Sequence, residues 1–350
     1  MAEVSAGFIL ALAVAWVLTP ACGWLARAVG LVDRPAPRKL HAVPTPLLGG
    51  AAVLAAVAAA VLVFARPVVR EHVYLLLAGA TIFAVIGLLD DARNVGAGKL
   101  AAEAAVVVGI VWAGDFRVVL PWPYLGETLV VLWIVGVANA FNCLDCADGV
   151  AAGAAAVAGL GLLALALWAG RLAVAVVAAS VAGACLGFLR YNFPPARIFL
   201  GDAGSLTLGF VLASTAAVVS GGAVDPSRLL PPVLILAVPV GDFLLVHWRR
   251  YRAGVRPLTR LVTSTGKDHL PHRLLASGHS ARRTAVRVYL AMGVLGAAAV
   301  GVAAGGPWLP VTMGGLAGAV TALGIRPLLL RPAPEIRWNL PRPASADDRP

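Results

Sequence analysis

The chain has 350 residues, 60% hydrophobic and 13% charged, with a mean hydropathy of +0.88. A water-soluble domain carries about 25% charged residues. A fold of this length could not bury so much apolar surface in water, so lipid must be the solvent for most of it. Four cysteines, with 38 glycines and 24 prolines scattered without period, exclude a disulfide scaffold and a collagen-like fibre. A net charge of +11 raises the question of nucleic acid, which the distribution of that charge answers below.

A helix that crosses a bilayer needs about 20 largely apolar residues. In chain order eleven stretches fit: 4–25, 47–64, 73–89, 100–113, 128–141, 151–168, 172–189, 206–220, 229–247, 285–303 and 311–330, the fourth and fifth being short. The first carries Glu3 as its only early charge and is long, which predicts a retained helix and not a cleaved signal peptide. The expected fold class is all-α: a polytopic bundle of about 10–11 transmembrane helices. Residues 1–330 read as one membrane domain, and the Pro-rich tail 331–350 as unstructured.

Of the 28 Lys and Arg, the even-numbered connections hold five: Arg66, Arg70, Arg117, Arg171 and Arg228. The other 23 lie in or at the edges of the odd connections and in the tail. The positive-inside rule then puts the odd connections and the C-terminus in the cytoplasm and the N-terminus outside, in a multi-pass protein of the inner or plasma membrane. The same bias accounts for the basic charge without nucleic acid. Cys143 and Cys146 fall on that reducing side.

Five polar clusters interrupt the apolar pattern, all in odd connections: Asp33–Gly50, Asp90–Glu103, Asn139–Gly153, Arg190–Ser205 and Arg249–Arg283. Their sharing one face predicts a single site at the cytoplasmic membrane surface. Asp90 and Asp91 end an apolar run, where adjacent carboxylates disfavour each other's ionisation unless a cation or proton is near. Punctuation of a helix end is the plain alternative. Asn139, Asn142, Asp145 and Asp148 recur every three residues, so three neighbours share a helix face and four do not. Unwinding near Asp148–Gly149 would converge them. Such amides and carboxylates are hard-oxygen ligands suited to Mg²⁺. No second Cys/His pair at ligand spacing accompanies Cys143 and Cys146, which disfavours zinc.

In the fourth cluster, Gly201-Asp202-Ala203-Gly204-Ser205 precedes an apolar helix that Ser205 would N-cap, and free N–H groups there favour phosphate. The fifth carries nine Lys and Arg with His269 and His272, spaced to share a short helical face. Arg260, Lys267, Arg273, Arg282 and Arg283 around them oppose a bound cation and favour an anion. A basic loop lying on anionic lipid is the competing reading.

Taken together, these clusters resemble the polyprenyl-phosphate N-acetylhexosamine-1-phosphate transferases, the WecA/MraY family of integral membrane enzymes. The resemblance runs in order from about Asp33 to His279. DRPAPRKLHAVPTPLLGG is similar to the first cytoplasmic motif, in its WecA/TagO form. GLLDDARNVGAGKLAAE resembles the Asp-Asp motif, NAFNCLDCADGVAAG the Asn/Asp motif and RIFLGDAGSLTLGF the Gly-Asp-x-Gly-Ser motif. PVGDFLLVHWRR with KDHLPHRL resembles the Pro-x-x-Asp and histidine motifs. Five features depart from the pattern: a shorter spacing from Asp91 to Lys99, Glu103 where Gln is common, Cys146 for Gly, Pro271 for one histidine, and a segment between Gly254 and Lys267 without the usual Ser-Pro-Phe.

The resemblance implies attack of a lipid phosphate on the β-phosphate of a UDP-amino sugar, releasing UMP and starting a lipid-linked cell-wall or surface glycopolymer. It implies a Mg²⁺ cofactor, with Mn²⁺ as substitute, held by Asn142 and Asp202. Asp90 and Asp91 would orient or deprotonate the lipid phosphate. Asn139, Asp145 and Asp148 would contact the donor, and Lys39, Lys99, His269, His272 and Arg273 would hold phosphates. A simple UDP-N-acetylhexosamine, such as the GlcNAc donor, is favoured over a MurNAc-pentapeptide. Its partners are thus a UDP-amino sugar, polyprenyl phosphate and the membrane, with room for a homodimer and no nucleic acid. A transporter is the rival from another class, but it would place ionisable groups at the bilayer midplane, and here they stand at helix ends. A non-catalytic paralogue is a second rival, resting on Cys146 and Pro271.

Overall fold

A computed structural model describes residues 1–35, 43–64, 70–93, 95–114, 124–221, 226–256 and 266–324. Thirteen helices succeed one another there: α1 Ala2–Ala28, α2 Gly49–Phe64, α3 Arg70–Arg93, α4 Ala97–Ala113, α5 Leu125–Leu144, α6 Val150–Trp168, α7 Leu172–Asn192, α8 Gly201–Ser220, α9 Pro226–Ile235, α10 Ala237–Arg252, α11 Leu270–Ala276, α12 Ala281–Ala303 and α13 Trp308–Leu323. Within the described residues, ten of the eleven apolar stretches each fall on one helix, and the ninth spans α9 and α10. Among the described residues seven helices are long and apolar enough to cross a membrane, or eight if α9 and α10 form one broken span. At 16 residues each, α2 and α13 reach about 24 Å. Lys39, residues 325–330 and the tail from Arg331 lie outside the described residues.

The side chains turned outward confirm lipid as the solvent. Trp16 and Val17 of α1, Leu62 and Val63 of α2, Leu132 of α5 and Leu290 of α12 are all exposed. Such a belt suits hydrocarbon and would be unfavourable in water. Between the helices, small residues let backbones approach. Gly183 and Gly187, four apart in α7, press on the carbonyls of Phe8 and Leu12 in α1, where a Cβ would overlap them. This small-xxx-small contact is the common way to pack helices in lipid, where burial alone gives no drive.

α8 is the central helix. Of its most apolar 18-residue window 83% is buried, against 22% for α1. α2, α3, α5 and α6 pack around it, α1 lies outside on α2 and α7, and α12 closes the far side against α6, α9 and α13.

Two features differ from the eleven-stretch reading. The ninth stretch is not one helix: α9 and α10 meet at a 74° bend around Leu236. Pro239 explains the break, because it cannot donate to the Ile235 carbonyl and its ring crowds that oxygen. The second is a two-stranded antiparallel ribbon, β1 Val32–Asp33 with β2 Thr45–Pro46, the only strands among the described residues. It continues into a ladder of backbone bonds: Phe199 N–H donates to Pro46 (2.8 Å), Gly49 N–H to Phe199 (3.0 Å) and Gly50 N–H to Leu200 (2.8 Å). The start of α2 is thereby locked onto the start of α8.

Because Gly187 meets backbone and not a movable side chain, Gly187→Leu should destabilise the bundle by about 1–3 kcal/mol. A fall in the thermal midpoint of detergent-solubilised protein checks this. An unchanged midpoint would show that α1 and α7 separate without cost.

Candidate functional site

The site assembles where the ends of α3, α4, α5 and α8 meet. Asp91, at the end of α3, accepts from the Asp202 N–H on Oδ1 (3.1 Å) and from the Ala203 N–H on Oδ2 (3.4 Å). It therefore caps α8 from another helix, since the N-cap residue of α8 is Leu200, which has no side-chain acceptor. A carboxylate at the positive end of a helix is favoured by both hydrogen bonding and the dipole. Gly201 makes the approach possible: it has φ +72°, and a Cβ there would stand 2.7 Å from Asp91 Oδ2 and 2.8 Å from the Leu47 carbonyl.

The expectation that Ser205 caps α8 is corrected here. The helix begins at Gly201, so Ser205 lies one turn inside it. Its hydroxyl donates to the Gly201 carbonyl (3.1 Å) and accepts from Asn142 Nδ2 (3.1 Å). That second bond fixes the Asn142 amide, turning its oxygen toward Lys99. The Lys99 ammonium donates to Asp202 Oδ2 (2.6 Å) and Asp90 Oδ2 (2.9 Å), with Asn142 Oδ1 at 3.4 Å. Asp90 is held from its other side by the Val95 N–H on Oδ1 (2.7 Å). Oxygens of Asp90, Asn142 and Asp202 thus converge on one positive charge.

Asn139 does not join this centre. It lies one turn deeper in α5, where its amide nitrogen donates to Glu103 Oε2 and the Val135 carbonyl (3.0 Å). Glu103 is fully buried, and its second oxygen has no hydrogen-bond partner. The run after Asn142 unwinds earlier than expected: α5 stops at Leu144, with Asp145 as C-cap. Asp148 accepts from the Ala196 N–H (2.9 Å), and the adjoining Gly149 N–H donates to Asn192 Oδ1 (3.1 Å). Asn192 in turn donates to the Ile198 carbonyl (2.9 Å), so the 193–200 segment is pinned before it enters α8. Burial, then the charges of Asp202, Asp91 and Asp148, hold the Asp145 carboxyl well above the usual carboxylate range.

The two histidines do not share a helical face. His269 is the extended N-cap residue of α11 (φ −67°, ψ 155°), and His272 lies in the first turn after it. Pro271 sits between them in that first turn, where a missing N–H leaves no intrahelical bond unmade. His269 Nδ1 bonds Asp242 Oδ2 (2.9 Å), and Asp242 Oδ1 accepts the Leu270 N–H (2.7 Å). Burial opposes charge on His269, but the bonds to Asp242 and the neighbouring Cys143 outweigh it and push its pKa up to about 10. Burial, then the charges of His269 and Lys267, push His272 down. One imidazole is thus a cation and the other is biased toward neutrality. Asp268 makes a bidentate pair with Arg250 (2.8 and 2.7 Å), which is almost fully buried, and this ties the segment to α10. Arg273 and Asp242 stand at the polar end of an otherwise apolar cavity of about 230 Å³ lined by α10, α11, α12 and α13.

Asp242, Asp268, Arg250, Glu103 and Ser205 carry this geometry without having been read as site residues. Asp242 had a signal, a single carboxylate inside the apolar run PVGDFLLV. Arg250 and Asp268 had none, because only the tertiary fold reveals their pairing. All four cysteines are free thiols. Among the described residues no three His, Cys, Asp or Glu side chains group at metal-binding spacing. One amide with one or two carboxylates does suit Mg²⁺, which keeps waters and takes further oxygens from phosphates.

Comparison with known proteins agrees with this architecture. The profile of Glycosyl transferase family 4 matches residues 73–220, the segment that supplies Asp90, Lys99, Asn142 and Asp202. The chain is 33% identical over 301 residues to a probable undecaprenyl-phosphate N-acetylglucosaminyl 1-phosphate transferase of Bacillus subtilis, covering 83% of this chain and 82% of that protein. It is 35% identical to a decaprenyl-phosphate N-acetylglucosaminephosphotransferase of Mycolicibacterium smegmatis, covering 79% and 77%. It is 30% identical to the undecaprenyl-phosphate alpha-N-acetylglucosaminyl 1-phosphate transferase of Escherichia coli K12, covering 80% and 78%.

Since the folded-state pKa of His269 is raised, its contribution to stability is complete below the ordinary imidazole value of about 6.5 and is lost as pH rises through about 10. Asp242→Asn should remove that contribution near neutrality. The gap between wild-type and variant thermal midpoints should be widest below about pH 6.5, narrow steadily from there and close as the pH passes about 10. A gap that closes near pH 6.5 would mean that Asp242 does not hold the imidazolium.

Proposed function

From the premise that the chain belongs to Glycosyl transferase family 4 and to its polyprenyl-phosphate N-acetylglucosamine-1-phosphate transferases, we propose that it moves N-acetylglucosamine-1-phosphate from a UDP-sugar to polyprenyl phosphate in the membrane. A lipid phosphate oxygen forms a bond to the β-phosphorus, the bond from that phosphorus to the bridging oxygen breaks, and UMP leaves with that oxygen. The observation that carries this reading is the convergence of Asp90, Asn142 and Asp202 on one positive charge at the ends of membrane helices. The chemistry brings two anions together, so its main barrier is their repulsion.

A bound Mg²⁺ or Mn²⁺ would offset that repulsion and polarise the phosphates. Asn142 and Asp202 would hold it, with Ser205 fixing the amide oxygen toward it. Asp91 is engaged with the N-terminus of α8, which makes it a positioning residue for Asp202. Asp90 is then the carboxylate left to orient the lipid phosphate or take its proton. Lys99, Lys39, His269 and Arg273 supply positive charge to phosphates, and His272 a neutral hydrogen-bonding imidazole. Asn139 acts through Glu103, and Asp148 through the 193–200 segment, both a layer behind the reacting groups. Asp145 is the member of the trio best placed to reach the donor. The apolar cavity beside Asp242 and Arg273 supports an acceptor with a hydrocarbon chain.

The same reading treats residues 1–330 as one transferase domain and puts the site on the cytoplasmic side of the inner or plasma membrane, supported by the 23-to-5 division of Lys and Arg. Impermeant thiol labelling of intact cells should leave Val95→Cys and Lys267→Cys unmodified above the background of the native cysteines; labelling of either from outside would reverse the topology.

Purified protein supplied with polyprenyl phosphate, Mg²⁺ and a panel of UDP-sugars should release UMP with UDP-GlcNAc and stop in excess chelator. Asp202→Asn should lower kcat by about 10²–10³ while lipid-phosphate binding persists. Undiminished UMP release in chelator, or equal loss of turnover and lipid binding, would contradict these roles.

A further inference from the structure

Lys99 stands where the metal of the proposed reaction would have to sit. Its Nζ is 2.6 Å from Asp202 Oδ2, 2.9 Å from Asp90 Oδ2 and 3.4 Å from Asn142 Oδ1. The last two groups cannot readily face elsewhere. Asn142 is oriented by its bond to Ser205, and Asp90 by the Val95 N–H. A Mg²⁺ ion would need the Asn142 and Asp202 oxygens at about 2.0–2.1 Å, so its position and that of the ammonium overlap. Two cations so close together also repel steeply in a partly buried site. The lysine stem has four flexible carbons, and the ammonium is a point charge with no planar fork to anchor it. Its side chain is 11% exposed and that of Asp202 32%, so the centre opens toward solvent on the Asp202 side.

We propose that Lys99 is a resident counter-ion that competes with the divalent cation for Asn142 and Asp202, and that metal entry releases its ammonium toward the donor phosphates. Lys99 therefore has two positions with two functions: it neutralises the carboxylates before metal binds, and it becomes a phosphate ligand afterwards. This rests on the reading that Asn142 and Asp202 hold the metal. Occupation of the oxygens by Lys99 lowers the apparent metal affinity by the fraction of molecules in which the oxygens are free. The metal site is thus weak alone and strengthens when phosphates draw the lysine away.

The test is substrate-free Mn²⁺ binding, followed by electron paramagnetic resonance of the free ion on detergent-purified wild type, Lys99→Gln, Lys99→Arg and Asp202→Asn. Lys99→Gln should bind Mn²⁺ about tenfold or more tightly than wild type, Lys99→Arg no more tightly than wild type, and Asp202→Asn far more weakly. Equal or weaker binding by Lys99→Gln, with Asp202→Asn still impaired, would overturn the competition and leave the metal assignment standing. Unimpaired binding by Asp202→Asn would overturn the metal assignment and this inference with it. Should Lys99→Gln lose monodispersity without metal, the Mn²⁺-dependent rise in thermal midpoint of Lys99→Met replaces the titration. A larger rise than wild type supports the competition, and an equal or smaller one refutes it.

Discussion

A charge at the edge of a bilayer must be paired, and the pairing of Lys99 with Asp202 and Asp90 at 2.6 and 2.9 Å sets the terms for everything around it. Each partner comes from a different helix, so satisfying one ammonium fixes the ends of α3, α4 and α8 against each other. Asn142 adds α5. The same rule repeats around the rim. Asp91 answers the unpaired N–H groups of α8, Asp242 answers His269, and Asp268 answers Arg250. Removing one member of such a pair leaves the other as a buried, uncompensated charge, which costs more than a surface substitution.

Holding the ends of the helices together by charge makes stability and chemistry hard to separate. Asp202 is a partner of Lys99, the first acidic residue of α8 and the proposed metal ligand at once. The packing beneath it allows no compensation by movement. α8 is buried along most of its length, and its first turn is stitched to β2 and α2 through Phe199, Leu200 and Gly50. A centre that rigid can present oxygens in a fixed arrangement, which is what electrostatic stabilisation of a crowded transition state needs. The side chain with room to respond is the long one, Lys99.

Much of this was legible because lipid enforces a strict code. Apolar stretches gave the helices, and in a chain so poor in charge the clusters at their ends stood out as the site. Asp90, Lys99, Asn142 and Asp202 were all read there, and the structure brings them together. The misses came from interactions between residues distant in sequence. Ser205 looked like an N-cap because a Gly-rich run precedes the apolar residues, yet the helix starts at Gly201 since Asp91, more than a hundred residues earlier, caps it. His269 and His272 matched a helical spacing, but the Asp242 bond holds the first in extended backbone as the N-cap of α11. Hydropathy averaged over 229–247 also hid the bend at Leu236, because a window sum is blind to the N–H that Pro239 lacks. Asn139 had the right residue type and register, and only its neighbour Glu103 shows that it serves a layer behind.

The central claim, that these paired charges form a cation centre built on Asn142 and Asp202, is open to direct observation. Crystals of the protein soaked in Mn²⁺ with a UDP-sugar should give an anomalous peak between Asn142 Oδ1 and Asp202 Oδ2, with the Lys99 ammonium displaced from that point. An anomalous peak at His269 and His272 instead, or Lys99 still bridging Asp90 and Asp202 beside a metal bound elsewhere, would contradict it.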